Sequence, residues 1–279
     1  MADTMRIDTH QHFWKYNPVR DLWIDDTMQE LQRDFLPGDL VANMEYCSVN
    51  GTIAVQANQS EDETHFLLDL SSNYDWIKGV VGWIDLRADD IEKRLEHFSQ
   101  YSKLKGFRHV VQDEPDENFI LKPEFQYGIS LLKHFDFSYD ILVYPKQLPA
   151  AIQLVQNHPE QRFILDHIGK PLIKEKIIQP WAGLIEQLAQ NQNVMCKISG
   201  LITEADHKNW KSQDIKPYLD IVFESFGSDR LIFGSDWPVC LLAGSYYQVI
   251  NLIEDYLKDH SEDNLTKIFA ENASRIYQI

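Results

Sequence analysis

Hydrophobic and polar residues follow two rhythms along the chain, and the two take turns. Short runs rich in apolar and β-branched residues fall at 6–12 (RIDTHQH), 51–58 (GTIAVQAN), 79–86 (GVVGWIDL) and 105–111 (KGFRHVV), and again at 138–144 (SYDILVY), 162–168 (RFILDHI), 194–200 (VMCKISG) and 231–237 (LIFGSDW). Each predicts a strand. Between them, 62–74, 89–101, 122–135, 146–159 and 179–192 repeat their apolar residues at spacings of three and four, and 245–257 and 262–277 supply the last helices. Asp89 and Pro149 stand where a helix cap and a first turn want them.

Strands that alternate with helices predict an α/β fold built on a parallel sheet. Eight such units in 279 residues match the size of a (β/α)8 TIM barrel, here a single domain over 1–279. A doubly wound sheet would want a glycine-rich turn after its first strand, and that strand runs into HQHFWKYN instead. No repeat, linker or low-complexity tract divides the chain.

Composition narrows the function. The formal charge of −17, from 43 acidic and 26 basic residues, works against nucleic acid and anionic membranes as partners. A small neutral substrate fits better. Three scattered cysteines, Cys47, Cys196 and Cys240, give neither a disulfide framework nor a CxxC site, so a reducing cytoplasm is expected. MADTMRID lacks the pattern of a secretory leader, and no apolar run approaches bilayer length.

In a barrel of this kind the carboxyl ends of the strands carry the chemistry. Strict alternation puts Asp8, His10 and His12 on one side of the first strand. An HxH pair is a compact arrangement for a divalent metal, and imidazole suits zinc. On spacing alone, hydrogen bonding in the barrel mouth is an equal reading. The same alternation groups Phe163, Leu165 and His167 on strand six and Ile232, Gly234 and Asp236 on strand eight. His10, His12, His167 and Asp236 thus converge on one end of the barrel. Arg108 and His109 point to opposite sides, which leaves open which of them faces the site.

The segments RIDTHQHFW, GFRHVVQ, LDHIGKP, KISGL and FGSDWPV together resemble the amidohydrolase superfamily, in its sugar-lactonase branch of L-fuconolactonase- and L-rhamnonolactonase-like proteins. That resemblance implies a distorted (β/α)8 barrel and a hydrolase that opens a sugar aldonolactone. It assigns Asp236 the role of general base and acid, makes His167, His109 and Arg108 further catalytic residues, and makes His10, His12, His167 and Asp236 ligands of one divalent metal, zinc by preference. Members of the branch work with one metal or with none. Strand five, SYDILVYP, lacks the histidine of the binuclear members, so a two-metal centre is not expected.

Arginine placement and aromatic residues bear on the substrate. Recognition of a polycarboxylate needs several guanidinium groups. Only Arg87 and Arg108 lie near predicted carboxyl ends of strands, whereas Arg6, Arg162 and Arg230 stand at strand starts. Trp14, Trp237 and Tyr144 are placed to pack on a sugar ring, with Gln56 and Arg87 as polar contacts. Trp83 reads as core, and Asn58, Lys197 and Ser199 as internally bonded polar residues. The expected partner is a small sugar lactone, with a homo-oligomer compatible with the sequence. Two rival readings stand beside it: a metal-dependent decarboxylase of an unsaturated or aromatic acid, and a non-catalytic sugar-binding barrel.

Overall fold

The computed structural model describes residues 5–279; the first four, part of the stretch read as lacking a leader, lie outside the described residues. Eight parallel strands form one sheet in sequence order: β1 (Ile7–Gln11), β2 (Gly51–Val55), β3 (Ile77–Gly82), β4 (Leu104–His109), β5 (Ser138–Ile141), β6 (Phe163–Leu165), β7 (Val194–Ile198) and β8 (Leu231–Phe233). Helices follow: α1 (Pro37–Tyr46), α2 (Glu61–Asn73), α3 (Ile91–Phe98), α4 (Pro123–Leu132), α5 (Leu148–Asn157), α6 (Trp181–Ala189), α7 (Ser212–Phe226), α8 (Tyr246–Leu257), α9 (Glu262–Thr266) and α10 (Asn272–Tyr277). The expected barrel is present, and it closes irregularly. Between β8 and β1 the bonds come from the loop after β8, where Asp236 N donates to His10 O at 2.8 Å and His12 N donates to Trp237 O at 2.7 Å.

All eight strands end earlier at their carboxyl side than the apolar runs suggest, because the last residues of each run leave the sheet to build the mouth. Two helices, α1 and α7, were not among the helical stretches read from the sequence. α7 carries Pro217 in its interior, a residue that argues against a continuous helix. Pro149 does lie in the first turn of α5, whereas Asp89 falls one residue short of the cap of α3. That position belongs to Asp90, whose carboxylate binds Arg94 at 2.7 Å rather than the helix end.

Strand side chains sort into two layers. Ile7, Ile53, Val55, Val81, Ile164, Met195 and Ile232 fill the barrel interior, with Ala273, Ile276 and Tyr277 of α10 packed against them. The opposite faces, such as Phe107, Tyr139, Phe163, Leu165 and Phe233, belong to the larger cluster between sheet and helices. Each layer removes apolar area from water, worth roughly 25 cal/mol per Å². Cys47, Cys196 and Cys240 are free and buried. Among the described residues no helix is long and apolar enough to cross a membrane.

Candidate active site

Because Ile7 is interior, simple alternation would send Asp8, His10 and His12 outward. Instead the register of β1 against β2 slips between Asp8 and Gln11. Asp8 does face outward: its carboxylate accepts from the backbone N–H of His10 at 3.1 Å, Ser235 N at 2.8 Å, Ser235 Oγ at 2.6 Å and Tyr246 Oη of α8 at 3.2 Å. After the slip, His10 turns into the barrel. Gly234 makes room for it, since a Cβ there would stand 2.6 Å from His10 Cβ.

The grouping of His167 with Phe163 and Leu165 also fails, since those two residues face the helices. What brings His167 inward is a break after β6, where His167 and Ile168 adopt φ of 52° and 49°. Asp166, the residue that alternation does aim inward beside Ile164, becomes a site residue that the sequence reading missed. Asp236 likewise sits in a left-handed turn, at φ 59° beyond β8. Backbone held there costs of order 1 kcal/mol or more and persists where the surroundings enforce it.

The centre is buried and dense with charge. His12 Nδ1 donates to Val55 O at 2.8 Å, which turns Nε2 toward Asp236 Oδ1 at 3.5 Å. His10 Nε2 lies 3.9 Å from the same oxygen. Ligand atoms of His10, His12 and Asp236 lie within 4.8 Å of one another, as do those of His10, Asp166 and His167. The four expected ligands are therefore split between two overlapping groups, with His167 in the group that contains Asp166. His167 Nδ1 is paired with Ser199 Oγ at 2.9 Å.

Burial holds the His10 and His167 imidazoles well below the ordinary histidine range, so both are neutral at pH 7. For Asp236, burial works against the carboxylate, yet the carboxyl stays below its usual range, with the Lys170 ammonium among the charges that favour ionisation. Asp236 is therefore ionised and available as a base.

Arg108 and His109 are resolved by alternation. Arg108 points inward, where Nη1 reaches Asp166 Oδ2 at 3.0 Å and His10 Nε2 at 3.2 Å while Nη2 donates to Gln56 O. His109 points the other way. Its ring stacks on Phe119 at 4.9 Å, receives Trp83 Nε1 at 3.2 Å on Nδ1 and pairs with Glu114 through Nε2 at 2.7 Å. It is not part of the histidine–aspartate cluster. Arg87 lies over the Phe119 ring, 5.1 Å from its centre, and binds Asp85 at 3.1 Å. Gln56 supports Arg108, with Nε2 donating to Arg108 O at 3.2 Å.

Trp237 is 2% exposed and packs edge-on against Phe13 and Phe35, so it belongs to the core. Trp14 is buried too, but its ring tilts against His12 at 6.5 Å and borders a cavity of about 450 Å³ with Arg20, Asn58, Ser60, Glu63 and Phe66. On the other flank, Thr203 Oγ1 lies 3.5 Å from Asp236 Oδ2 and borders a cavity of about 510 Å³ with Glu204. Lys170 bridges from there, 3.3 Å from Glu204 and 5.4 Å over the ring of half-buried Tyr144. Lys170 lies inside the LDHIGKP segment and Glu204 just beyond KISGL, and neither was singled out from the sequence.

The model of the family described as Amidohydrolase matches residues 7–279. The chain belongs to the amidohydrolase family. This amidohydrolase is 39% identical over 99% of its length to an L-fucono-1,5-lactonase of Burkholderia multivorans, covering 96% of that protein. An L-fucono-1,5-lactonase of Burkholderia ambifaria is 36% identical over 87% of the chain and 83% of its own length. A crystal structure of an amidohydrolase from Burkholderia multivorans with bound zinc superposes with a TM-score of 0.96 at 39% identity, covering 99% of both chains.

Proposed function

We propose that this amidohydrolase is a lactonase that opens a sugar aldonolactone, of a deoxy sugar such as L-fucono- or L-rhamnonolactone, to the sugar acid. One observation carries the reading: the buried, ionised Asp236 carboxylate and the Arg108 guanidinium approach the same nitrogen of His10, Nε2, at 3.9 and 3.2 Å. The first supplies a base, the second a cation for the oxygen that becomes negative.

In the proposed reaction Asp236 takes a proton from water as the oxygen adds to the lactone carbonyl carbon. Arg108 and His167 stabilise the oxyanion that forms on the carbonyl oxygen. Collapse re-forms the carbonyl and breaks the bond to the ring oxygen, which receives the proton held by Asp236. The sugar ring packs beside Trp14, in the cavity that also holds Asn58, Ser60 and Glu63, with Tyr144 and Lys170 closing the other flank. Arg87 and His109 form the wall beyond β4. The single unit spans the whole chain and acts on a small molecule.

The donor set fits one divalent ion. His12 has its tautomer fixed by Val55, and Asp236 and His10 face the same point. His10, His12 and Asp236 would hold zinc there, and the ion when bound supplies a Lewis acid at the lactone carbonyl.

Acid release from a panel of aldonolactones, deoxy sugars included and read with a pH indicator with and without chelator, tests the proposal. Turnover of at least one sugar lactone is expected. No acid release from any lactone, with carbon dioxide released from aromatic or unsaturated acids, would replace the reading with a decarboxylase.

A further inference from the structure

The barrel interior is closed at its lower end by α10, and that helix does more than fill space. Tyr277 is 1% exposed, and its hydroxyl donates to Asp140 Oδ2 of β5 at 3.2 Å. Asp140 also binds the Lys197 ammonium of β7, which lies 5.7 Å from the centre of the Tyr277 ring. Lys197 in turn reaches Asp166 Oδ1 at 3.0 Å and approaches His10 Nδ1 at 3.4 Å. Asp166 holds Arg108 at 3.0 Å and faces His10 Nδ1 at 3.4 Å. An unbroken series of buried polar contacts therefore runs from the helix that plugs the barrel to two groups at the reaction centre.

Two cations, Lys197 and Arg108, are matched here by two carboxylates, Asp140 and Asp166. A network of this kind holds one geometry only while each member keeps its partners. Lys197 is shared between Asp140 and Asp166, and its position is a balance of two pulls. The Tyr277 hydroxyl satisfies part of Asp140, whose Oδ1 has no hydrogen-bond partner among the described residues. Without that donor, Asp140 draws harder on Lys197, and Asp166 loses part of the cation that fixes its carboxylate. His10 and Arg108 both take their orientation from that carboxylate.

We propose that Tyr277 is a positioning residue for the hydrolytic reaction: by bonding Asp140 from beneath the site, it centres Lys197 and so fixes Asp166, Arg108 and His10. This rests on the lactonase reading for its kinetic consequence, although the geometric consequence stands apart from it.

Tyr277→Phe in the full chain keeps the ring and removes one hydroxyl. The expected result is a kcat lowered about tenfold with KM within about twofold, since a small displacement of catalytic groups acts on rate before binding. Ile276→Ala is the control, because Ile276 packs in the same interior cluster without joining the network. It is expected to lower stability while leaving kcat near the parent value. A second readout is independent of turnover: side-chain nitrogen NMR of histidine-labelled protein, with His10 assigned through His10→Asn. Tyr277→Phe is expected to shift the His10 signals and leave those of exposed His207 in place. Unchanged His10 signals with unchanged kcat would overturn the proposal, as would Ile276→Ala matching Tyr277→Phe in both readouts. If the parent protein opens no lactone, the lactonase reading fails, and the NMR comparison alone decides whether Tyr277 positions His10.

Discussion

Arg108 Nη1 stands 3.2 Å from His10 Nε2, so the imidazole nitrogen that faces the reaction centre already has a cation beside it. The guanidinium is held there by Asp166 and the Gln56 carbonyl and has little freedom to withdraw. A divalent ion using His10 would feel that charge at close range, where separation from bulk water leaves it poorly screened. Arg108→Met is therefore expected to raise zinc occupancy after dialysis against limiting zinc, measured by metal analysis. The same change is expected to lower kcat by about a hundredfold or more through loss of oxyanion stabilisation. Arg108→Lys should recover little of that rate, because a point charge does not reproduce the forked contacts to Asp166 and Gln56.

Asp236 is the group whose loss ought to be most costly to turnover and least costly to the fold. Its carboxylate makes few structural bonds, and the barrel closure at this point uses its backbone N–H to His10 O rather than its side chain. Asp236→Asn is expected to reduce kcat by about a thousandfold or more, the upper part of the range for general acid–base catalysis. Circular dichroism and the melting temperature should match the parent protein. A near-parental rate in a folded variant would remove Asp236 from the mechanism.

The two rhythms of the chain were enough to predict the barrel, because βα units leave a period-two and a period-3.6 pattern in turn. They placed the strands but overran their carboxyl ends and misjudged directions there. His10 faces inward only because β1 slips register, and His167 only because two residues after β6 are left-handed. Neither event has a proline or glycine at the decisive position to announce it. The resemblance supplied what alternation could not, since it attaches to segments rather than to faces. The Asp140–Lys197–Asp166 network was illegible for another reason: its members lie on β5, just after β6 and on β7, and only closure of the barrel makes them neighbours. Arg108 was the reverse case, an inward direction that alternation on β4 could have given once Phe107 was recognised as facing the helices.

Lys197 makes a stability prediction that is separate from catalysis. It is fully buried between Asp140 and Asp166, and replacing it with Met leaves two carboxylates in the interior facing each other without that cation. Breaking a buried ion pair by removing one partner costs about 3–5 kcal/mol. Lys197→Met is therefore expected to lower the urea midpoint sharply or prevent soluble expression. Adding Asp140→Asn removes one of the two carboxylates left without Lys197, Asp166 still keeping Arg108 at 3.0 Å, and the double variant should recover part of the loss. A single variant as stable as the parent protein would show that the pair contributes nothing net.

Glu63 gives a pH dependence with a definite sign. It is 7% exposed at the edge of the Trp14 cavity, and its Oε1 accepts from the backbone N–H groups of Ala57 and Asn58. Burial raises its pKa from 4.5 to about 7, more than those two bonds and Arg20 lower it. The folded protein therefore keeps a proton that the unfolded chain releases. As pH rises from 4.5 to about 7, the unfolded state gains free energy of ionisation that the folded state does not, and stability falls by up to roughly 3 kcal/mol. Glu63→Gln retains an oxygen for the two amides and has no proton to lose in this window. The variant and the parent protein should have similar urea midpoints near pH 5, with the variant becoming the more stable by pH 7.5. A difference that is constant across that range would mean that Glu63 ionises alike in both states.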